Sequence, residues 1–166
     1  LYCIARHLNN SEYVHKHVGY EPSGRSFNSF VLNNDNLPYN PLINAGAIMI
    51  SSLISPEKEP SERFEIINKY YERLSAKSNK IGFDNSVFLS EQHHADRNIS
   101  LAYHMREKKA FNSNVGPKQI EEHLNLYFQA CSITITTKIG SIIAATLANG
   151  GVCPLNGDNI FSSEIT

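Results

Sequence analysis

The chain has 166 residues, of which 41% are hydrophobic and 19% charged, a composition typical of one globular domain with a single core rather than of a disordered chain. The formal net charge of −1 gives no basic surface for nucleic acid or an anionic membrane, and no segment approaches the roughly 18 apolar residues of a membrane span. The three cysteines, Cys3, Cys131 and Cys153, are widely separated, so we expect free thiols in a reducing compartment rather than a disulfide.

Two short helices and a long irregular segment are predicted at the start of the chain. Residues 1–8 are helical in type, and Ser11 before "EYVHKHVG" predicts a second helix with Gly19 as its C-terminal stop. Residues 20–38 are rich in Ser, Asn, Gly and Pro but keep four large apolar residues, Phe27, Phe30, Val31 and Leu32. A loop of this length that keeps its aromatic residues is more often functional than not.

The segment "YNPLINAGAIMISS" predicts a buried helix, in which Asn40 can serve as the cap and Pro41 suits the first helical position. The segment nevertheless contains Asn44 and Gly46. A glycine inside a helix costs about 0.5–1 kcal/mol relative to alanine, and an unpaired buried carboxamide costs about 1–3 kcal/mol more. Two interpretations are open: Asn44 bonds a loop carbonyl while Gly46 permits close helix crossing, or the small neighbours let a ligand approach the carboxamide.

The remainder of the chain is predicted to be mostly α-helical. We expect a hydrophilic connector at 55–61, a helix opening at Ser61, a short helix and a turn within 80–98, and helices at 95–109, 117–131 and 136–148. The stretch "ITIT" alternates like a strand but is too short to assign. The clearest amphipathic pattern is that of 117–131, whose apolar stripe consists of Ile120, Leu124, Tyr127 and Cys131. Tyr127 is therefore either a core aromatic residue whose hydroxyl finds a partner or a functional phenol.

The sequence "SEQHHADRN" concentrates polar residues that could form a site. We predict no metal site, because adjacent His93 and His94 should project in different directions and no HExxH or CxxC pattern accompanies them. Asp96 is a candidate cap for the helix that follows. Glu91 and Asn98, an anion and a carboxamide seven positions apart, could both face one polar pocket.

Five motifs together resemble the serine-dependent glutaminases, in particular the animal glutaminases of mitochondria. They are, in chain order, "EPSGRSFN", "NPLINAGAI", "SEQHHADRN", "LYFQACSI" and "AATLANGGVCP", and the resemblance covers essentially all of the chain. It implies a fold similar to that of the serine β-lactamases and penicillin-binding proteins, an α/β fold with an antiparallel sheet, a helical subdomain and the active site between them. Residues 1–166 would be a mostly α fragment, chiefly the helical subdomain of a partial glutaminase catalytic domain.

The resemblance also implies a reaction, the hydrolysis of L-glutamine to L-glutamate and ammonia through an acyl-enzyme on the serine of a Ser-x-x-Lys motif. That motif would lie just before Leu1, and the C-terminal sheet would also be missing, so we expect the 166-residue chain alone to be inactive. Ser55 and Lys58 match the motif formally but lie in the hydrophilic connector, and we assign no nucleophile to this chain. No cofactor is implied.

The family's substrate contacts carry over to four residues. Asn44 matches the residue that hydrogen-bonds bound glutamine, and Glu91 matches the carboxylate that meets the substrate's α-amino group. Asn98 matches the carboxamide near the α-carboxylate. Tyr127 matches a tyrosine of the same pocket near the reacting amide, which gives it a catalytic as well as a binding role.

The loop 24–35 resembles a segment that lies beside the catalytic site and near a subunit interface in the animal enzymes. Phe27 matches an aromatic position of that regulatory loop, whereas Phe30 falls one place before the second aromatic position, where this chain has Val31. The alternative is that both phenylalanines anchor the loop in the local core. The resemblance further implies a homo-oligomer, either a dimer or a tetramer, and a mitochondrial location, with the cytoplasm as the alternative.

A second function remains open, that of a genuine short product which acts as a non-catalytic helical binding or oligomerisation module derived from a glutaminase. The two ends of the sequence instead favour a fragment of a longer chain. The chain starts without Met on an apolar residue, and Ser162 or Ser163 looks like a helix start with no helix after it.

Overall fold

The computed structural model describes residues 1–77, 81–111 and 114–166. Eight helices lie in these ranges: α1 (Tyr2–Asn9), α2 (Ser11–His15), α3 (Asn44–Ser52), α4 (Pro60–Leu74), α5 (Asn85–His93), α6 (Asp96–Glu107), α7 (Pro117–Cys131) and α8 (Thr137–Ala148). Two short strands, β1 (Gly82–Phe83) and β2 (Ile133–Thr134), pair antiparallel. The described chain is thus mostly helical, as predicted. None of its helices has the length and the apolar run needed to cross a membrane.

Helices α3 and α7 form the centre of the molecule. Seven of the nine residues of α3 are buried, from Ala45 onward with Ala47 as the exception. A helix that is apolar all round has to be covered on every side, and α3 contacts α1, α6 and α7. Helix α7, which also packs against α4, α5 and α6, follows the predicted bounds. These contacts bring α3, α5 and α6, the helices of three predicted site residues, against the helix that carries Tyr127.

A buried arginine holds the C-terminal end of α3. Arg63 of α4 is 2% exposed, and its guanidinium donates to the carbonyl oxygens of Ser51 at 2.7 Å and Ile54 at 2.8 Å. Carbonyl groups at the end of a helix lack partners within the helix and carry its partial negative charge. The cost of burying the Arg63 guanidinium is therefore offset by two charge-assisted hydrogen bonds. The same bonds fix the C-terminal end of α3.

The other end of α3 corrects the predicted start of the helix. The helix begins at Asn44 with Ile43 as its N-cap, so the prediction that Pro41 is the first helical residue and Asn40 the cap is wrong. Asn40 instead accepts a hydrogen bond from the Leu42 N–H at 3.0 Å. This local side-chain turn competes with the helix and keeps residues 41–43 outside it. Asn44 consequently lies in the first turn of α3 rather than in its interior.

Gly19 has a different role from the predicted one. Helix α2 ends at His15, four residues before this glycine, so Gly19 does not stop it. A side chain at Gly19 would meet the carbonyl oxygen of Tyr39 at 2.6 Å, and the Gly19 N–H donates to the carbonyl of Pro38 at 2.9 Å. The glycine therefore permits the close approach of residue 19 and residues 38–39, which brings the two ends of the loop 20–38 together.

Two further helix starts also differ from the sequence prediction. Helix α4 begins at Pro60 rather than Ser61, and the N–H of its cap residue Glu59 donates to the Glu62 carboxylate at 3.3 Å. Asp96 is the first residue of α6 rather than its cap, a position taken by Ala95. An acidic residue in the first turn still suits the positive end of the helix dipole. The prediction therefore placed Asp96 near the correct helix end, but one position before its actual place in the helix.

The close approach at Gly46 gives a first prediction. A Cβ at this position would overlap the backbone carbonyl of Asn40, because the turn before α3 folds directly onto the helix. Gly46→Ala should therefore lower the free energy of unfolding of the full-length protein by about 1–3 kcal/mol in urea titration. The matched control is Gly140→Ala in α8, where the nearest atom would lie 3.6 Å from the new Cβ. That variant should be neutral or stabilising by up to about 1 kcal/mol, and equal losses in both variants would contradict this account.

The buried imidazole of His123 gives a second prediction. His123 is 7% exposed and its Nδ1 has no hydrogen-bond partner among the described residues. Burial, and then the nearby guanidinium of Arg63, lower the pKa of His123 from 6.5 to about 4. The unfolded chain binds this proton below pH 6.5 whereas the folded chain binds it only near pH 4, so stability is lost as the pH falls through that window.

Wild-type protein should therefore lose roughly 2–3 kcal/mol more of its free energy of unfolding between pH 7 and pH 4 than the His123→Leu variant does. The measurement is urea unfolding of the full-length protein at a series of pH values. His93→Leu makes the same change at an exposed position and should keep the wild-type pH profile. An unaltered profile in His123→Leu would remove His123 as the cause.

Candidate functional site

Asn44 and Asn98 are brought together by a hydrogen bond across 54 positions of sequence. The Asn44 Nδ2 donates to the Asn98 Oδ1 at 3.0 Å, and both side chains are half-buried. This bond uses one donor and one acceptor of the pair. It leaves the Asn44 Oδ1 and the Asn98 Nδ2 to face other partners, one as an acceptor and one as a donor.

The same contact joins the first turns of two helices. Asn44 is the first residue of α3 and Asn98 is the third of α6, and the two helices pack together. Helix N-termini carry partial positive charge and N–H groups without helical partners. The Asn44 N–H itself donates to the carbonyl of Phe27 at 2.9 Å. The Asn44 N–H is thus already occupied, and Asp96 already places an acidic side chain in the first turn of α6. The remaining N–H groups of the two first turns and the Asn98 Nδ2 could still donate to a small anionic group such as a carboxylate.

Glu91 and Tyr127 form a second group with Cys131. Tyr127 is 9% exposed, and both the Cys131 thiol one helical turn later and the Glu91 carboxylate of α5 lie close enough to influence its pKa. Burial, followed by the Cys131 thiol and the Glu91 charge, raises the pKa of Tyr127 well above its ordinary value. The phenol is therefore protonated at neutral pH and acts as a hydrogen-bond donor rather than as a base.

Cys131 differs from its predicted place on the apolar stripe of α7, and it lies beside the predicted site residue Tyr127. It was predicted on the buried stripe of α7 but is exposed, because it is the last residue of the helix. Although the residue as a whole is exposed, desolvation of the thiol by the surrounding protein raises its pKa, and the nearby Tyr127 hydroxyl acts in the opposite direction. Sequence reasoning did not assign Cys131 to the site, although its position four residues after Tyr127 on one helix was the available signal.

The carboxylate of Glu91 has no cationic partner among the described residues. It is half-buried and makes neither a hydrogen bond nor an ion pair with the part of the chain that the structure describes. Partial burial disfavours an unpaired carboxylate, and a bound ammonium group would relieve that cost through a charge-assisted hydrogen bond. Glu91 is thus suited to bind a small cation.

Phe27 and Phe30 place the loop 20–38 against the first turns of α3 and α6. Their exposures of 63% and 40% show that the alternative reading, in which both rings anchor the loop in the core, is wrong. Phe27 reaches α3 through its carbonyl, which accepts the Asn44 N–H. The Phe30 ring lies 4.7 Å from the guanidinium carbon of Arg97, which precedes Asn98 in α6. The loop therefore contacts both sides of the asparagine pair.

The adjacent histidines at the C-terminal end of α5, His93 and His94, do not project apart as expected. Their rings lie edge to face with centroids 4.8 Å apart, because α5 ends at His93 and His94 leaves the helical geometry. Within residues 1–77, 81–111 and 114–166, no group of three or more His, Cys, Asp and Glu side chains is arranged to hold a metal ion.

Comparison with known sequences finds relatives along the whole chain. Residues 1–166 match the family described as Glutaminase. The chain is 42% identical over 163 residues to the mitochondrial liver isoform of glutaminase from Rattus norvegicus, covering 98% of this chain and 26% of that protein. It is 39% identical over 159 residues to Glutaminase 1 of Clostridium perfringens, covering 94% of this chain and 50% of that protein. The chain thus spans between a quarter and a half of the length of these relatives.

Solved structures are similar over the same extent. The crystal structure of a probable glutaminase from Bacillus subtilis has a TM-score of 0.88 and 29% identity, covering 99% of this chain and 51% of that one. The structure of Mglu in its glutamate form has a TM-score of 0.83 and 26% identity, covering 99% of this chain and 36% of that one. The described helices therefore have the arrangement found in about half of a solved bacterial glutaminase chain.

Proposed function

Because the chain belongs to the glutaminase family, we propose that the full-length protein hydrolyses L-glutamine to L-glutamate and ammonia. The match to the family along residues 1–166 is the observation that carries this proposal. The geometry adds support, since a free amino acid needs a partner for its ammonium, donors for its carboxylate and a group near its side-chain amide. The chain offers all three on helices that pack against α7 or belong to it.

In the proposed complex each of the four residues has one role. The α-carboxylate lies at the ends of α3 and α6, where Asn98 donates from its free Nδ2. The α-ammonium binds the unpaired carboxylate of Glu91. Asn44 orients Asn98 through their hydrogen bond and offers its Oδ1 to a donor of the substrate. Tyr127, which stays protonated, donates a hydrogen bond where negative charge develops on the amide oxygen during attack.

The attacking group is assigned to no residue of this chain. We propose that the full-length protein supplies the serine of a Ser-x-x-Lys motif and that residues 1–166 form the helical subdomain of a serine β-lactamase-like catalytic domain. The chain's span of half the length of bacterial relatives supports a larger domain. We also propose a homo-oligomer, a dimer or tetramer, on the resemblance alone. We propose a mitochondrial location, which the name of the rat relative supports.

We propose in addition that the loop 24–35 regulates activity through the asparagine pair. Phe27 fixes the first N–H of α3 by its carbonyl, and Phe30 contacts the residue before Asn98 by its ring. Displacing the loop would therefore disturb both carboxamides at once, which connects the state of an exposed segment to substrate binding.

The asparagine pair gives the first test of this function. Asn44→Ala removes the hydrogen bond to Asn98 and one polar group of the proposed cradle, so kcat/KM for L-glutamine in the full-length protein should fall by about tenfold or more, without unfolding. Asn9→Ala is the matched control, because it also removes partly buried carboxamide hydrogen bonds, to the carbonyls of Ala5 and Leu53. This control should lower the melting temperature but not kcat/KM. An unchanged kcat/KM in Asn44→Ala would refute the assignment.

The loop gives a second test, based on the difference between its two phenylalanines. Phe30→Ala removes the ring contact with Arg97 and should lower kcat/KM by roughly two- to fivefold. Phe27→Ala keeps the backbone carbonyl that accepts from Asn44, and its effect should be smaller. Steady-state kinetics on the full-length protein measures both, and the reverse ranking would contradict the proposed coupling.

A further inference from the structure

Helix α5 carries Glu91, yet none of its side chains is buried. Its hydrophobic attachment is limited to the partly buried Phe88, which packs against the core. Its N-terminal end is held by the pairing of β1 with β2 and by the Asp84 N–H, which donates to the Ser132 carbonyl at 2.9 Å. Its C-terminal end is held by a different contact, in which the Gln92 Nε2 donates to the Asn125 Oδ1 at 2.8 Å.

We propose that Gln92 and Asn125 are positioning residues that hold α5 on α7 and so keep the Glu91 carboxylate beside Tyr127. This inference rests on the proposed binding roles of Glu91 and Tyr127. Gln92 directly follows Glu91, and Asn125 is two residues before Tyr127, so their bond joins the two helices at the level of the site.

The pair acts through its neighbours rather than by touching the substrate. Gln92 and Asn125 line an open groove between α5, α6 and α7 whose other walls include Leu124 and Phe128. Glu91 and Tyr127 do not line this groove. Successive residues of a helix point about 100° apart, so Gln92 can clamp one flank of α5 while Glu91 faces the substrate from another.

The physical effect expected of the clamp is on substrate binding. A carboxylate–ammonium hydrogen bond requires the two groups within a few tenths of an ångström of their best distance, and a supporting contact maintains that distance. If α5 shifts at its C-terminal end, the ammonium contact weakens in the ground state and in the transition state alike. Such a loss of uniform binding raises KM and leaves kcat unchanged. A bond with only a structural role would lower stability and leave KM unchanged.

The test uses two substitutions of similar size at one position in the full-length protein. Asn125→Leu removes the oxygen that accepts from Gln92, and Asn125→Asp keeps one. Asn125→Leu and Gln92→Ala should each raise KM for L-glutamine by roughly three- to tenfold with kcat within about twofold of wild type. The double variant should be no worse than either single one, because the same bond is already lost. Asn125→Asp should keep KM within about twofold of wild type.

Two further variants distinguish a failure of the positioning role from a failure of the proposed binding role of Glu91. Lys118→Ala, which removes a surface contact to Glu122 on the same helix, is the control and should leave both constants unchanged. Glu91→Gln should raise KM by about tenfold or more. If it does while Gln92→Ala and Asn125→Leu keep the wild-type KM, the positioning role is overturned and the proposed function stands. If Glu91→Gln itself leaves KM unchanged, the proposed role of Glu91 is wrong, and the inference falls with it.

Discussion

The hydrogen bond between Asn44 and Asn98 is the contact on which the candidate site depends. It holds the first turns of α3 and α6 side by side and fixes which atom each carboxamide presents. An asparagine in the middle of α3 could do neither, so the candidate site requires α3 to begin at Asn44. The turn formed by Asn40 and the absence of a side chain at Gly46 meet this requirement.

A rigid helix is needed to hold that bond in place, and α3 is fixed at both ends. Arg63 binds the carbonyls at its C-terminal end, while the Phe27 carbonyl occupies its first N–H. Between them the helix is buried almost throughout. By contrast, α5 has no fully buried residue and is attached to α7 by the partly buried Phe88, a few polar contacts and one short strand pair. The proposed site would therefore have one side, the asparagine pair, that is held by a buried helix, and one side whose position depends more on individual hydrogen bonds.

The sequence predicts the helices well where one pattern dominates. Periodicity identifies α7 within its observed bounds, and Thr136 marks the start of α8 as its cap. The start of α3 was missed because the preference of Pro41 for a first helical turn is overridden by the side chain of Asn40, a local competition that periodicity does not report. The sequence does not predict the burial of Arg63 either, because a charged side chain is normally exposed. Only the structure shows the two carbonyl groups that this guanidinium binds.

The roles proposed for Asn44, Glu91, Asn98 and Tyr127 follow from the resemblance, whereas the contact between Asn44 and Asn98 is visible only in the structure. Contacts between distant segments leave no local signal in one sequence. The most direct measurement is a crystal structure of the full-length protein with L-glutamate bound. The account predicts the α-ammonium about 3 Å from the Glu91 carboxylate and the α-carboxylate at the Asn44–Asn98 pair. Glutamate bound with its α-carboxylate and ammonium away from these residues would contradict it.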